Sequence, residues 1–105
     1  MMTVITETSV RPGQESAWDE AFRTRAEDAQ RQPGWIATQL LMPLDDKQKR
    51  VVVGTWQDRE SWERWHTTEI FQKTRDQLNS ATVDDGTERW FEVAVEHVSA
   101  QAVGD

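Results

Sequence analysis

An α+β fold of order β-α-β-β-α-β, in which four antiparallel strands form one sheet with two helices on one face, is predicted by three observations. Residues 3–10, "TVITETSV", set Val4/Thr6/Thr8/Val10 against Thr3/Ile5/Glu7/Ser9, the period of two that marks a partly buried strand. From about Gln14 to Gln32 the apolar residues Ala17, Trp18, Ala21, Phe22, Ala26 and Ala29 recur at three- and four-residue steps, one stripe of an amphipathic helix. The pairs Pro12-Gly13 and Pro33-Gly34 bracket that helix and stop the elements around it.

The remaining elements follow in order. "WIATQLLM" (35–42) reads as a strand, Pro43 to Lys49 as a polar turn, and "RVVVGTW" (50–56) as a β-branched strand, together a hairpin. Asp58 is placed to cap a second helix, with Glu60 favourable in its first turn. That helical pattern runs through Trp62 and Trp65, breaks near Thr67-Thr68 and resumes toward Leu78. Residues 79–88, "NSATVDDGTE", form a loop by composition, and "RWFEVAVEHV" (89–98) is the last strand. One domain is expected, with a core over about residues 3–98 and a tail over 99–105 that has no packing signal. The arrangement is the ferredoxin-like split βαβ. Its sheet has a second face to cover. In the last strand Phe91, Val93 and Val95 make one apolar face, and the other face is mixed.

Composition narrows the function. Only 36% of the 105 residues are hydrophobic, a lean core for a small domain, and pairing of two sheets in a homodimer would supply further burial. Twelve Lys+Arg against nineteen Asp+Glu give a net charge of -7, which repels phosphate backbones, so nucleic acid is not an expected partner. The interspersed charges of "DEAFRTRAEDAQR" (19–31) read as a solvated helix face. There are no cysteines, and neither a secretory leader nor a membrane-length apolar run is recognisable; a soluble cytoplasmic protein is the expectation.

Familiar catalytic and cofactor motifs are few. Ser61 and His66 lie five apart on one helix and point to different faces, which does not suit a serine triad. His66 and His97 lack the spacing of a metal pair, and no glycine-rich phosphate cradle occurs. What stands out is "GTWQDRESWERWHTTEIF" (54–71), which holds three of the six tryptophans and one of the two histidines. Trp56 ends a strand, and Trp62 and Trp65 lie three apart on the helix that follows, so all three approach the mouth between helix and sheet. Trp18 and Trp62 read as core. For Trp65 two roles stand side by side, core and pocket wall. Thr6, Gln39, Thr55, Thr74 and Arg75 are the polar groups expected nearby, and His97, on the last strand, is a candidate base.

The order βαββαβ, with "PGW" (33–35), "VVVGTWQDRESW" (51–62) and "TTEIF" (67–71) in sequence, resembles the antibiotic biosynthesis monooxygenase domain of the dimeric α+β barrel superfamily, over about residues 3–98. The resemblance implies a homodimer and a pocket walled by Trp65, Trp56 and Phe71, with Thr6 and Thr74 as polar contacts. Two branches of the family are compared. In cofactor-independent oxygenases of anthrone-type polyketides, the strand tryptophan matched by Trp56 follows a catalytic Asn by four residues, where this chain has Val52. The aromatic position six later is kept as Trp62, and the family arginine falls at Arg75 with a one-residue shift. In the haem-degrading branch "ESWERWHTTEIFQKTRD" (60–76) is similar, and Trp65 matches the tryptophan that lies against the haem. The axial histidine falls at Thr74 or Arg75 and the strand-one Asn at Thr6, and these are not usual iron ligands.

The leading expectation is therefore a monooxygenase-like protein that binds a hydrophobic polycyclic phenol or quinol and uses O2 without a cofactor. Its catalytic candidates are His97, Arg75 and His66. The alternatives are a haem-binding or haem-degrading protein and a non-catalytic ligand-binding dimer.

Overall fold

A computed structural model describes residues 1–99. The elements are β1 (Met2–Ser9), α1 (Glu15–Ala29), β2 (Trp35–Leu41), β3 (Lys49–Trp56), α2 (Arg59–His66), α3 (Glu69–Ser80) and β4 (Thr87–Glu92). The sheet order is β2-β3-β1-β4 with every neighbouring pair antiparallel, which is the expected ferredoxin-like topology.

Register decides which face each strand residue occupies. Val4, Gly54 and Trp90 lie side by side, as do Thr6, Val52 and Glu88, and these residues face the helices. Beneath α1 and α3, Val10, Trp18, Ala21, Phe22, Leu78 and Ala81 form the core, with Ala26, Leu40 and Val52 packed against it. Trp18 stacks on Phe22 at 5.4 Å between centroids. Trp18 is core, as expected. The opposite face presents Ile5 beside Val53, Val51 beside Leu41, and Phe91 beside Thr3. No helix covers it among the described residues, and Leu41 and Phe91 are exposed.

Buried Arg50 shows how this chain satisfies a structural cation. At 2% exposure it donates from Nε and Nη2 to the two carboxylate oxygens of Asp19 (2.8 and 3.3 Å). Its Nη1 donates to the carbonyls of Lys47 and Lys49 (2.7 and 3.0 Å). A buried guanidinium is tolerated when its donors are matched in this way.

The helical pattern breaks at Thr67-Thr68 as expected, which divides it into α2 and α3, and one strand changes. The last strand was expected over 89–98 and occupies Thr87–Glu92. It starts early because Thr87 and Glu88 pair with Glu7 and Thr6, and it stops where the register reaches Met2↔Glu92, with one further bond from Val93 N to Met1 O. Beyond that point the alternating valines pair with no strand among the described residues.

The turn between α1 and β2 is anchored by Gly34, whose φ is +89°. Its carbonyl accepts from Gln57 N at 2.8 Å, and a Cβ here would collide with the Ser61 side chain at the start of α2. A left-handed backbone and a close approach both require glycine. Gly34→Ala is expected to destabilise the fold by about 1–3 kcal/mol, read by urea unfolding; Gly13→Ala, where no atom lies within 4 Å of the added Cβ, should cost less.

Candidate functional site

Between the helix-facing side of the sheet and the three helices lies a cavity of about 260 Å3. That size is close to the lower end of the ~300–1,000 Å3 typical of small-molecule sites. Its position follows from the helix break. Thr67 Oγ1 donates to Arg64 O (2.7 Å) and Thr68 Oγ1 to Trp65 O (2.8 Å), closing the carbonyl end of α2. Thr68 Oγ1 also accepts from Phe71 N at 3.3 Å and so caps α3. At the other end of α2 the Asp58 carboxylate accepts from Ser61 N at 2.8 Å, as its spacing predicted, and this bond holds its pKa below the usual range.

The break gathers an aromatic wall. Trp65 stacks on Trp56 at 5.2 Å and meets the Phe71 ring edge-on at 4.7 Å. Its indole Nε1 donates to Asp28 Oδ2 at 3.2 Å, which fixes the ring against α1. Trp62, expected as core, is instead half-buried and lines the cavity, with its ring edge-to-face with Trp90 at 5.5 Å. Trp56 is 2% exposed and Trp65 is half-buried, so one cluster serves packing and cavity together.

His66 sits inside this cluster, with ring centroids 3.8 Å from Trp62 and 4.0 Å from Phe71. Its Nδ1 lies 2.7 Å from Trp62 O. A carbonyl can only accept, so the proton is on Nδ1 and Nε2 carries the lone pair. Burial pushes the imidazole pKa below its ordinary value; the charges of Arg25 and Arg75 act in the same direction, while the Trp62 carbonyl and Glu63 oppose it.

The expected site residues divide. Thr6, Trp56, Trp65, His66 and Phe71 all line the cavity. Thr74 does not: at 1% exposure its hydroxyl bonds to Ile70 O and Phe71 O and receives a bond from Arg25. Arg75 is exposed on α3 with Nε 3.6 Å from Asp76 Oδ1. His97 is exposed past the end of β4, outside the cavity lining, because the strand that was to carry it ends at Glu92. Gln39 and Thr55 lie on the sheet face away from the helices, where Thr55 Oγ1 is 3.0 Å from Thr3 Oγ1.

Arg25 is a cavity residue that is not among the expected ones. Its guanidinium lies 4.1 Å from the Phe71 centroid and 5.9 Å from that of Trp65. Nε donates to Thr74 Oγ1 at 3.0 Å and Nη2 to Phe71 O at 3.1 Å. Desolvation, reinforced by Arg75, lowers its pKa to about 10. A signal was present: Trp18, Phe22, Arg25 and Ala29 follow four-, three- and four-residue steps, so Arg25 interrupts the apolar stripe rather than the solvated face.

Comparison with known proteins is consistent with this architecture. A structure from Nitrosomonas europaea, assigned as an antibiotic biosynthesis monooxygenase, superposes with a TM-score of 0.85 at 21% identity, covering 90% of this chain and 100% of that one. SnoaB, a cofactor-independent oxygenase from Streptomyces nogalater, superposes at 0.81 with 21% identity over 92% of this chain and 95% of its own. A conserved protein from Methanosarcina mazei Go1 reaches 0.82 at 13% identity, over 86% and 89%. At these identities the likeness carries the fold alone. No curated protein matches the sequence. The model of the family Antibiotic biosynthesis monooxygenase matches residues 1–77, from β1 through most of α3, and the chain belongs to that family.

Proposed function

We propose that the protein is a cofactor-independent monooxygenase that takes a planar, hydrophobic phenol or quinol into the aromatic cavity, with His66 as general base. The observation that carries this reading is the His66 geometry: Nδ1–H is tied to Trp62 O, Nε2 is left basic, and burial keeps the ring neutral near pH 7. The SnoaB fold and the family membership support it.

The chemistry asks little of the protein. His66 takes a proton from an activated ring C–H or from the phenol conjugated to it, and the resulting anion transfers electrons to O2 as a C–O bond forms. The peroxide so produced loses water to leave a ring carbonyl. For a ring methylene, one oxygen atom ends in the carbonyl, and the other leaves as water with the two methylene hydrogens. The tryptophan and phenylalanine walls orient the rings and exclude bulk water. Haem fits these residues poorly: where the resemblance puts its axial ligand, Thr74 is buried with its hydroxyl engaged and Arg75 lies at the surface.

Oxygen uptake with anthrone as probe tests the reading. Wild-type protein should consume one O2 per substrate without added metal or flavin, and His66→Gln should lower kcat by about 100-fold or more with KM changed little. Because the folded-state pKa lies below the unfolded value of about 6.5, kcat/KM should rise with pH along a limb whose midpoint lies below 6.5. The same sign governs stability. The His66 contribution is full above about 6.5 and is lost as the pH falls through the folded pKa. Unchanged turnover in His66→Gln, or activity only after haem is added, would contradict the proposal.

We further propose that the open sheet face pairs with a second copy of the chain. Its row of Ile5, Val51, Val53, Leu41 and Phe91 is the kind of contiguous apolar surface that marks an interface. Light scattering at micromolar concentration should give twice the 12.2 kDa subunit mass, and Val53→Lys should give one subunit with unchanged far-UV circular dichroism. A monomeric wild type would remove the dimer.

A further inference from the structure

Arg50 is buried and Arg25 is half-buried on the cavity wall, and the two differ in how their donors are used. Arg50 spends its donors on both oxygens of Asp19 and on two carbonyls. Arg25 has two protein acceptors, Thr74 Oγ1 and Phe71 O, for five N–H groups. Both hydrogens on Nη1 and one on Nη2 have no protein acceptor, and no carboxylate lies within ion-pair distance among the described residues. The charge it does feel is a like one, Arg75. No buried side-chain nitrogen lacks a partner among the described residues, so the spare N–H groups of Arg25 reach accessible space at the cavity wall, where an acceptor on a ligand can meet them.

The carboxylates of the cavity lie away from this wall. Glu7 is on β1, and Asp84, Asp85 and Glu88 come from the loop into β4 and from its start, while Arg25 and His66 pack on Phe71 beneath the helices. Asp28, the nearby acid on α1, is engaged by the Trp65 indole. A ligand carrying negative charge would be repelled from the β4 side and drawn to Arg25.

We propose that Arg25 is a specificity-determining residue that selects aromatic ligands bearing an anionic oxygen, a phenolate or a ring carboxylate, and holds that oxygen against the helix-side wall. This rests on the aromatic cavity being the binding site, as in the function proposed above. Arg25 packs on the Phe71 ring beside Trp65, so its guanidinium binds the charged oxygen through its free N–H groups while the ligand ring meets the tryptophans. Its bonds to α3 also tie the two helices together, and the test must separate that structural role from recognition.

The test is calorimetric titration with a matched pair of probes, 2-naphthoate and 2-naphthylmethanol, which share ring size and differ in charge. Wild type should bind the carboxylate about 10-fold or more tighter, the range expected for a charge-assisted hydrogen bond in a partly dry site. Arg25→Met should abolish that preference and keep affinity for the alcohol. If Arg25→Met does not fold, Arg25→Lys carries the test: it should keep a reduced preference, since charge remains and the planar fork is lost. Equal affinity of wild type for both probes would overturn the proposal and leave the aromatic cavity standing. So would equal weakening of both probes in Arg25→Met, or an unchanged preference in either variant. Binding of neither probe would overturn this proposal and the aromatic-site reading together.

Discussion

The two hydroxyls at the Thr67-Thr68 break hold the site together. Thr67 and Thr68 donate to the Arg64 and Trp65 carbonyls near the end of α2 while Thr68 starts α3, so the chain changes direction with these backbone groups paired. Phe71, in the first turn of α3, packs against Trp65 and His66 across the break, and those three rings with Trp56 and Trp62 line the cavity.

The same break explains the electrical character of the site. His66 is the last residue of α2, and its ring bonds to the carbonyl one turn earlier, which sets the tautomer without a carboxylate partner. Arg25 reaches in from α1 and is held by the first turns of α3. A neutral imidazole with a basic Nε2 and a cation with spare donors therefore share one phenylalanine ring. That pairing suits chemistry that generates an anion from an aromatic ligand: one group removes the proton and the other stabilises the charge left behind.

Much of this was legible in the chain. Alternation in the first strand, the Pro-Gly stops and the Asp58 cap are local signals, and each appears at its expected place. The tryptophan-rich segment announced where the cavity would be. Three things were hidden, each because a tertiary partner decides it. β4 ends where pairing with β1 runs out at Met2↔Glu92, which no reading of "VAVEHV" reveals and which left His97 away from the cavity. Trp62 and Trp65 have the same spacing signal, and only their neighbours tell a cavity wall from a core. Arg25 looked solvated within a charged run, although its step from Phe22 placed it on the buried stripe.

Proton abstraction in the cavity depends on His66 being presented as a neutral base. Nitrogen-15 NMR of the imidazoles across pH, with the His66 signals assigned through the His66→Gln variant, measures this directly. The structure predicts an Nδ1–H tautomer with Nε2 unprotonated at neutral pH and a titration midpoint below the ordinary histidine value of about 6.5. An Nε2–H tautomer, or a midpoint above that value, would contradict the role given to His66.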